Sequence, residues 1–199
     1  MSDRRPHSAA VFAGLGLAAL LLWMPVAAAG RRAALPWIYQ RPAVLSGEAW
    51  RLLTGHLVHL SGTHLAWNLA ALAAIGVLFA PALRPAAWLR VALASALTAG
   101  LGVLWLQPEV LATSGLSALL HGLVAAGALA VAAGGRRWLG IAAFGLLAVK
   151  LLAEQLAGPL PWSSAAAGGG IAVDAHLYGA LGGLAAGLFE LRRRNGRPA

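Results

Sequence analysis

The sequence predicts an all-α membrane protein, a bundle of six transmembrane helices with both chain termini on the cytoplasmic side. Hydrophobic residues make up 60% of the 199 residues and charged residues only 11%, which is far from the balance of a soluble domain. Six apolar segments approach the length of about 20 residues that a bilayer-spanning helix needs. The chain has no cysteines, so disulfides and thiolate chemistry are excluded.

The six apolar segments are separated by runs of charged residues and turn formers. Glycine and alanine are abundant within them, which favours close helix packing in lipid. In chain order the predicted spans are 9–29, 64–80, 86–106, 115–133, 138–157 and 174–191. We therefore expect one membrane domain over residues 1–199, with no separate soluble domain.

The first segment also has the features of a signal peptide. Arg4 and Arg5 precede the apolar run, and small residues follow it at 27–29. The run is nevertheless about 20 residues long, which is enough to span a bilayer. We predict an uncleaved helix that follows a short cytoplasmic N-terminus of residues 1–8.

Residues 30–63 form a long gap between the first two spans. The gap is amphipathic and contains Trp37, Tyr39 and Trp50, and such aromatic residues are typical of the membrane–water interface. We expect this segment to lie in the interface as an outer loop rather than to cross the bilayer.

The distribution of arginines predicts the orientation. With the N-terminus inside, ten arginines lie on the cytoplasmic side, including those of a basic tail at 192–199, and four lie outside. The formal net charge of +9 is thus a topology signal and not evidence for a nucleic-acid partner. This orientation places the starts of the second, fourth and sixth segments, and with them His64, Ser117 and His176, on the outer side.

Ser117 and His176 are the first candidates for chemistry. A histidine within a membrane segment is costly and usually functional, and a serine hydroxyl becomes a nucleophile when a base takes its proton. We predict Ser117 as nucleophile and His176 as general base. Asp174 suits the N-terminus of its helix, and we see no place for a carboxylate beside the histidine. The prediction is a dyad and not a triad.

Hydrogen-bond donors for an oxyanion are the second requirement of such a site. His64 and Asn68 lie four residues apart and so project from one face of the second segment. The backbone N–H of Ser117 is a further candidate, because the first N–H groups of a helix lack partners within it.

In their order and spacing over about residues 47–190, these positions resemble the rhomboid intramembrane serine proteases. The resemblance is carried by Trp50-Arg51, His59, His64, Asn68, Gly115-Leu116-Ser117, and Ala175-His176 followed by Gly179 and Gly183. It implies a six-helix bundle with Ser117 as nucleophile, His176 as base, and His64 and Asn68 at the oxyanion hole.

The resemblance also implies a setting for the protein. Trp50 and Arg51 would belong to an outer loop that lies partly in the outer leaflet of a bacterial inner membrane. The site would open to the periplasmic side and act on membrane-anchored protein substrates, with no metal or organic cofactor.

Two positions depart from the family pattern. Ala118 stands where the family usually has glycine, and His121 stands where it usually has a tyrosine packed on the catalytic histidine. The sequence Gly-x-Ser-x-x-x-His-Gly in a compact chain is similar to the rhombosortase branch. That branch implies substrates with a C-terminal tail made of a Gly-Gly motif, an apolar helix and a basic end.

Two alternatives remain open on the sequence. A transporter or channel subunit could use His64, His121 and His176 as a path for protons or metal ions. A catalytically inactive rhomboid-like protein could bind transmembrane helices without cutting them. A compact zinc motif is not indicated, since His56, His59 and His64 have unsuitable spacing.

Two further expectations concern the end of the chain. Lys150 and Glu154 lie four residues apart in the fifth segment, and we expect them to satisfy each other as a pair. Gly168–Gly170 is expected to be a flexible loop before the sixth helix and not a phosphate cradle.

Overall fold

The computed structural model describes residues 5–159 and 172–195, and this part of the chain is almost entirely helical. Each of the six predicted segments coincides with a long helix. The helices are α1 (Arg5–Ala29), α2 (Arg41–Leu45), α3 (Arg51–Thr54), α4 (Gly62–Phe79), α5 (Pro85–Leu106), α6 (Ser117–Ala133), α7 (Arg137–Ala157) and α8 (Val173–Asn195). The predicted loop at Gly168–Gly170 and the chain ends at 1–4 and 196–199 lie outside the described residues.

Four helices in the described part of the chain are long and apolar enough to cross a membrane. These candidate spans are His7–Ala29, Gly62–Ala82, Pro85–Leu106 and Arg137–Ala157. Helix α6 is apolar but has only 17 residues, which corresponds to about 26 Å. The helical architecture of a membrane protein is thus confirmed, whereas the count of six spans and the orientation stay predictions.

Local sequence signals explain where the helices next to the site begin. Ser61 precedes α4 in an extended conformation, and its hydroxyl accepts a hydrogen bond from the His64 backbone N–H at 3.1 Å. This is a side-chain N-cap, which satisfies one of the free N–H groups of the first turn. Helix α6 begins at Ser117, two residues later than predicted, because Gly115 has φ of +116° and cannot continue a helix backwards.

The centre of the bundle is the close pair α6 and α8. Twelve of the 17 residues of α6 are buried, and α8 packs between α5 and α6. A Cβ atom on Gly183 would overlap the backbone of Gly122, and one on Gly179 would overlap the carbonyl of Ala118. Glycines at both places therefore let the two backbones touch, as small residues commonly do in membrane helix pairs.

Helix α1 is a packed part of the bundle. It lies against α4 and α5, where Phe12 meets Trp88 edge to face at a ring separation of 5.1 Å. The buried hydroxyl of Ser8 donates to the Leu83 carbonyl at 2.9 Å. These contacts make α1 part of the helical bundle, and the uncleaved first helix stays a prediction.

The outer loop is more ordered than its sequence indicated. It contains α2 and α3, and a two-residue strand β1 (Tyr39–Gln40) pairs antiparallel with β2 (Ala112–Thr113), which lies just before α6. Two further backbone hydrogen bonds join the same segments, from the Arg41 N–H to the Leu111 carbonyl and from the Gly115 N–H to the Gly55 carbonyl, each at 2.9 Å. The strand pair is a small departure from the predicted all-α fold.

Candidate active site

Ser117 and His176 meet at one end of the α6–α8 pair. Ser117 is the first residue of α6 and is half-buried, and its Oγ lies 2.8 Å from Nε2 of His176. His176 lies in the first turn of α8 and is 3% exposed. Because the glycine contacts hold the two helices together just below this level, residues 59 positions apart in sequence reach hydrogen-bond distance.

A buried carboxylate touches the other side of His176. Oε2 of Glu154, on α7, lies 2.9 Å from the His176 Nδ1, and the side chain of Glu154 is fully buried. Our expectation that no carboxylate would lie beside this histidine is therefore wrong.

The second oxygen of Glu154 has the partner that the sequence predicted. Nζ of Lys150 lies 2.7 Å from Oε1, so the expected pair on α7 is present. The sequence pattern led to Lys150 but gave no sign of His176, because a spacing of four residues reports only contacts along one helix. The carboxylate bridges a lysine on its own helix and a histidine on another.

His121 lies one helical turn below Ser117 and packs on His176. The two imidazole rings are stacked, with centroids 4.3 Å apart and planes at 13°. Nδ1 of His121 lies 2.6 Å from the backbone carbonyl of Ser117, and a carbonyl oxygen can only accept. Nδ1 of His121 therefore carries the proton, and the ring supports the histidine that faces Ser117.

The predicted oxyanion residues His64 and Asn68 line cavities that also contain Ser117. His64 borders the same two cavities as Ser117 and His176. Gly115 packs directly on it, so that a Cβ atom at Gly115 would come within 2.5 Å of the His64 Cε1. Gly115 thus makes room for the imidazole ring of His64.

Asn68 is buried, and its side-chain amide is held by a histidine from the outer loop. The Asn68 Nδ2 donates to Nε2 of His59 at 2.9 Å, and the Leu116 backbone N–H points at the same nitrogen from 3.5 Å. Burial lowers the pKa of His59 to about 4, and the nearby His64 acts in the same direction. A neutral His59 can accept both hydrogen bonds, so it joins the outer loop to α4 and to the start of α6.

Arg51 braces the outer loop, and Trp50 lies at the surface of that loop. Arg51 is buried, pairs with Glu48 at 2.7 Å, and its Nη1 donates to the carbonyls of Leu35 and Ile38. Trp50 is 51% exposed, as expected of an interface residue. Arg51 borders a cavity that also contains Ser117, but no contact joins its side chain to the reacting atoms.

Two cavities meet at Ser117 and His176. The first has a volume of about 210 Å³, lies beneath the outer loop, and is bordered by polar side chains that include Arg31, Arg51 and His56. The second, of about 500 Å³, runs between α4 and α7 and is lined mainly by apolar side chains. The serine is therefore reached from a cavity of mixed polar and apolar lining and from a largely apolar one.

One group of metal-ligating side chains stands out in the described part of the chain, and it belongs to this site. Ligand atoms of His121, Glu154 and His176 lie within 4.8 Å of one another. The two imidazole rings are stacked, so their in-plane lone pairs run nearly parallel and do not converge on one point. Both nitrogens of His176 and the Nδ1 of His121 are also already engaged with Ser117 or Glu154. The arrangement suits a hydrogen-bonded network better than a metal ion.

Comparison with known proteins identifies the family. No curated protein matches the chain at a significant level. Residues 46–193, which make up most of the chain and include every helix from α3 to α7 and most of α8, match the family model of the rhomboid domain. Helix α1 precedes the matched region. The chain therefore belongs to the rhomboid family, a family of intramembrane serine proteases that also has inactive members.

Proposed function

We propose that this protein is an active intramembrane serine endopeptidase with Ser117 as nucleophile and His176 as general base. The observation that carries the proposal is the distance of 2.8 Å between the Ser117 Oγ and the His176 Nε2. An inactive member has no need for a serine and a histidine at hydrogen-bond distance in a place where two cavities meet.

In the first half of the reaction, the Ser117 Oγ forms a bond to the scissile carbonyl carbon while its proton passes to Nε2 of His176. The tetrahedral intermediate then collapses, the carbon–nitrogen bond breaks, and the same proton passes to the leaving amine. The products of this half are an acyl-enzyme on Ser117 and a released amine fragment.

In the second half, water attacks the acyl carbon and gives a proton to His176. The carbon–Oγ bond breaks and the proton returns to Ser117. Both intermediates carry a negative charge on oxygen. We assign its stabilisation to His64, Asn68 and the Ser117 backbone N–H, a kind of contact for which losing one donor typically costs about 10²–10³ in rate.

The two cavities offer separate routes to Ser117 for water and for the substrate. Water would reach Ser117 through the cavity beneath the outer loop, which is bordered in part by charged and polar side chains. A substrate helix would approach through the apolar cavity between α4 and α7, whose lining matches a lipid-like surface. In the six-span arrangement with both termini inside, Ser117 would face the periplasmic side of a bacterial inner membrane.

The substrate class that we propose is the C-terminal membrane anchor of exported proteins, of the type that rhombosortases process. Support comes from the Gly-x-Ser-x-x-x-His-Gly sequence, in which His121 takes the place of the usual tyrosine and stacks on His176. A Gly-Gly motif suits such a site because glycine weakens a helix, and a bond must leave the helix before a serine can attack it.

The test is labelling of the detergent-solubilised protein with a fluorophosphonate probe. We expect the parent and a Ser46→Ala control to be labelled, since the Ser46 hydroxyl is in the outer loop and bonds to the Pro42 carbonyl. Ser117→Ala and His176→Ala should lose the label while remaining folded. A folded parent that does not label would overturn the proposed activity.

The substrate class needs a second experiment. Reporter proteins with a C-terminal Gly-Gly motif, apolar helix and basic end are co-expressed with the parent or with Ser117→Ala. We expect cleavage by the parent alone, and loss of cleavage when Leu-Leu replaces Gly-Gly in the reporter. Equal cleavage of both reporters would refute the Gly-Gly preference and leave the protease assignment intact.

A further inference from the structure

Glu154 is the least expected residue of the site. Only three residues of α7 are buried, Gly140, Leu147 and Glu154, and they recur at intervals of seven. That interval brings each back to the same side of a helix after two turns, so the stripe faces the bundle. The carboxylate is thus turned towards α8 and away from lipid.

An ionised carboxylate at such depth is costly unless each oxygen has a partner. Lys150 supplies one partner at 2.7 Å, and the His176 Nδ1 supplies the other at 2.9 Å. The side chain of Lys150 is 35% exposed, while those of Glu154 and His176 are almost completely buried. Lys150 therefore holds Oε1 of the carboxylate, and Oε2 faces the His176 ring.

We propose that Glu154 is a positioning residue for His176, which extends the Ser117–His176 pair to a triad. The inference rests on the function proposed above. A carboxylate can only accept, so its contact places the proton of the neutral ring on Nδ1. Nε2 is then unprotonated and faces the Ser117 hydroxyl, which is the form that a general base requires.

Charge supports the same assignment. When His176 takes the proton of Ser117, its ring becomes positive while stacked on the ring of His121. Among the described residues, Glu154 is the acidic group in direct contact with that ring. Its negative charge stabilises the positive His176 ring while that ring holds the proton of Ser117. His121 cannot supply such a charge, because it is neutral or positive and its Nδ1 proton points at the Ser117 carbonyl.

The chain offers a matched control. Glu190, on α8, is also a buried glutamate, and its Oε1 pairs with Nε of Arg90 at 2.6 Å. It lies 14 residues, or about 21 Å, further along the helix than His176. Replacing either glutamate by glutamine removes a buried charge and breaks an ion pair, but only Glu154 touches the site.

The first measurement is the rate of fluorophosphonate labelling as a function of probe concentration, which separates the maximal rate constant from the probe's binding constant. For Glu154→Gln we expect the maximal rate to fall about 10²–10⁴-fold with probe binding unchanged, because misdirection of a base acts on the chemical step. Glu154→Asp should recover part of the rate. Glu190→Gln should label at the parent rate.

A second measurement reports the proton directly and does not require activity. In the proton NMR spectrum, an imidazole N–H that donates to a carboxylate gives a resonance far downfield. Ser117→Ala protein should retain this signal, and it should disappear in His176→Ala and in Glu154→Gln.

The outcomes separate the two proposals. If the parent does not label, the proposed activity fails, and the downfield signal alone decides the positioning role. If the parent labels and Glu154→Gln labels as fast as Glu190→Gln, the activity stands and the positioning role is refuted. Should Glu154→Gln fail to fold, Lys150→Met takes its place, with a smaller fall in the maximal rate expected and an unchanged rate refuting the inference.

Discussion

Substitution of Gly115 by alanine tests whether the room made for His64 matters to catalysis. A Cβ atom at this position would lie 2.5 Å from Cε1 of the imidazole, whereas ordinary contacts begin near 3.4 Å. The ring must therefore retreat by about 1 Å, and misplacement of a catalytic group by that distance can cost about 10²-fold in rate. The positive φ of +116° adds a backbone cost of about 1–3 kcal/mol to folding.

The backbone cost and the displacement of the His64 ring can be separated with a control glycine that has a positive φ but no close neighbour. Gly135 also has a positive φ, +97°, but no atom lies within 4 Å of a Cβ built on it. We expect Gly135→Ala and Gly115→Ala both to lower the unfolding temperature in detergent. Only Gly115→Ala should slow fluorophosphonate labelling, by about 10²-fold.

A double-mutant cycle then asks whether the loss acts through His64. In a His64→Ala background there is no ring to displace, so adding Gly115→Ala should slow labelling little further. Labelling of Gly115→Ala at the parent rate would refute the reasoning. The reasoning would also be refuted if Gly115→Ala slowed labelling in the His64→Ala background as much as it does in the parent, because the effect would then not act through His64.

Three further outcomes are expected from the packing and the charges. Gly183→Ala should destabilise the protein and abolish labelling, because the added methyl group would overlap the backbone of Gly122. A variant that unfolds at the parent temperature in a thermal scan would argue against the observed spacing of α6 and α8. Arg51→Gln should lower the free energy of unfolding by about 2 kcal/mol, because two carbonyls in buried or partly buried contacts lose their donor. The folded variant should label at a rate within a few-fold of the parent rate, and a much slower rate would indicate that Arg51 takes part in catalysis. Burial lowers the pKa of His59 to about 4, so between pH 6.5 and pH 4 the unfolded chain binds a proton at this residue that the folded protein does not. The contribution of His59 to stability should therefore be full above pH 6.5 and fall by about 3 kcal/mol towards pH 4. His59→Gln should reduce the loss of stability over this range, and an unchanged profile would contradict the assignment.

The helices and the Ser117–His176 pair were accessible from the sequence for a physical reason. Polar side chains are so costly in lipid that a serine and a histidine at the starts of apolar runs stand out. The starts of the runs were also nearly correct. However, α1 begins at Arg5, four residues earlier than predicted, and Gly115 lies outside α6 because its positive φ rules out a place in the helix.

The third member of the site was not accessible in the same way. Glu154 had a sufficient partner in Lys150 on its own helix, and one sequence contains no signal for a contact between α7 and α8. The strand pair was missed because two-residue strands have no periodicity to detect. What remained hidden were contacts between elements, which depend on the way the helices are placed against one another.

The hydrogen bonds between the outer loop and the segment before α6 tie the entrance of the site to its nucleophile. Tyr39 is paired with Thr113, and the Gly115 N–H is bonded to the Gly55 carbonyl. A displacement of the loop must either break these bonds or pull on the residues directly before Ser117. Thinning of the surrounding lipid, which would shift the aromatic side chains of the loop, would thus act mechanically on the serine, and turnover should depend on the acyl-chain length of the bilayer.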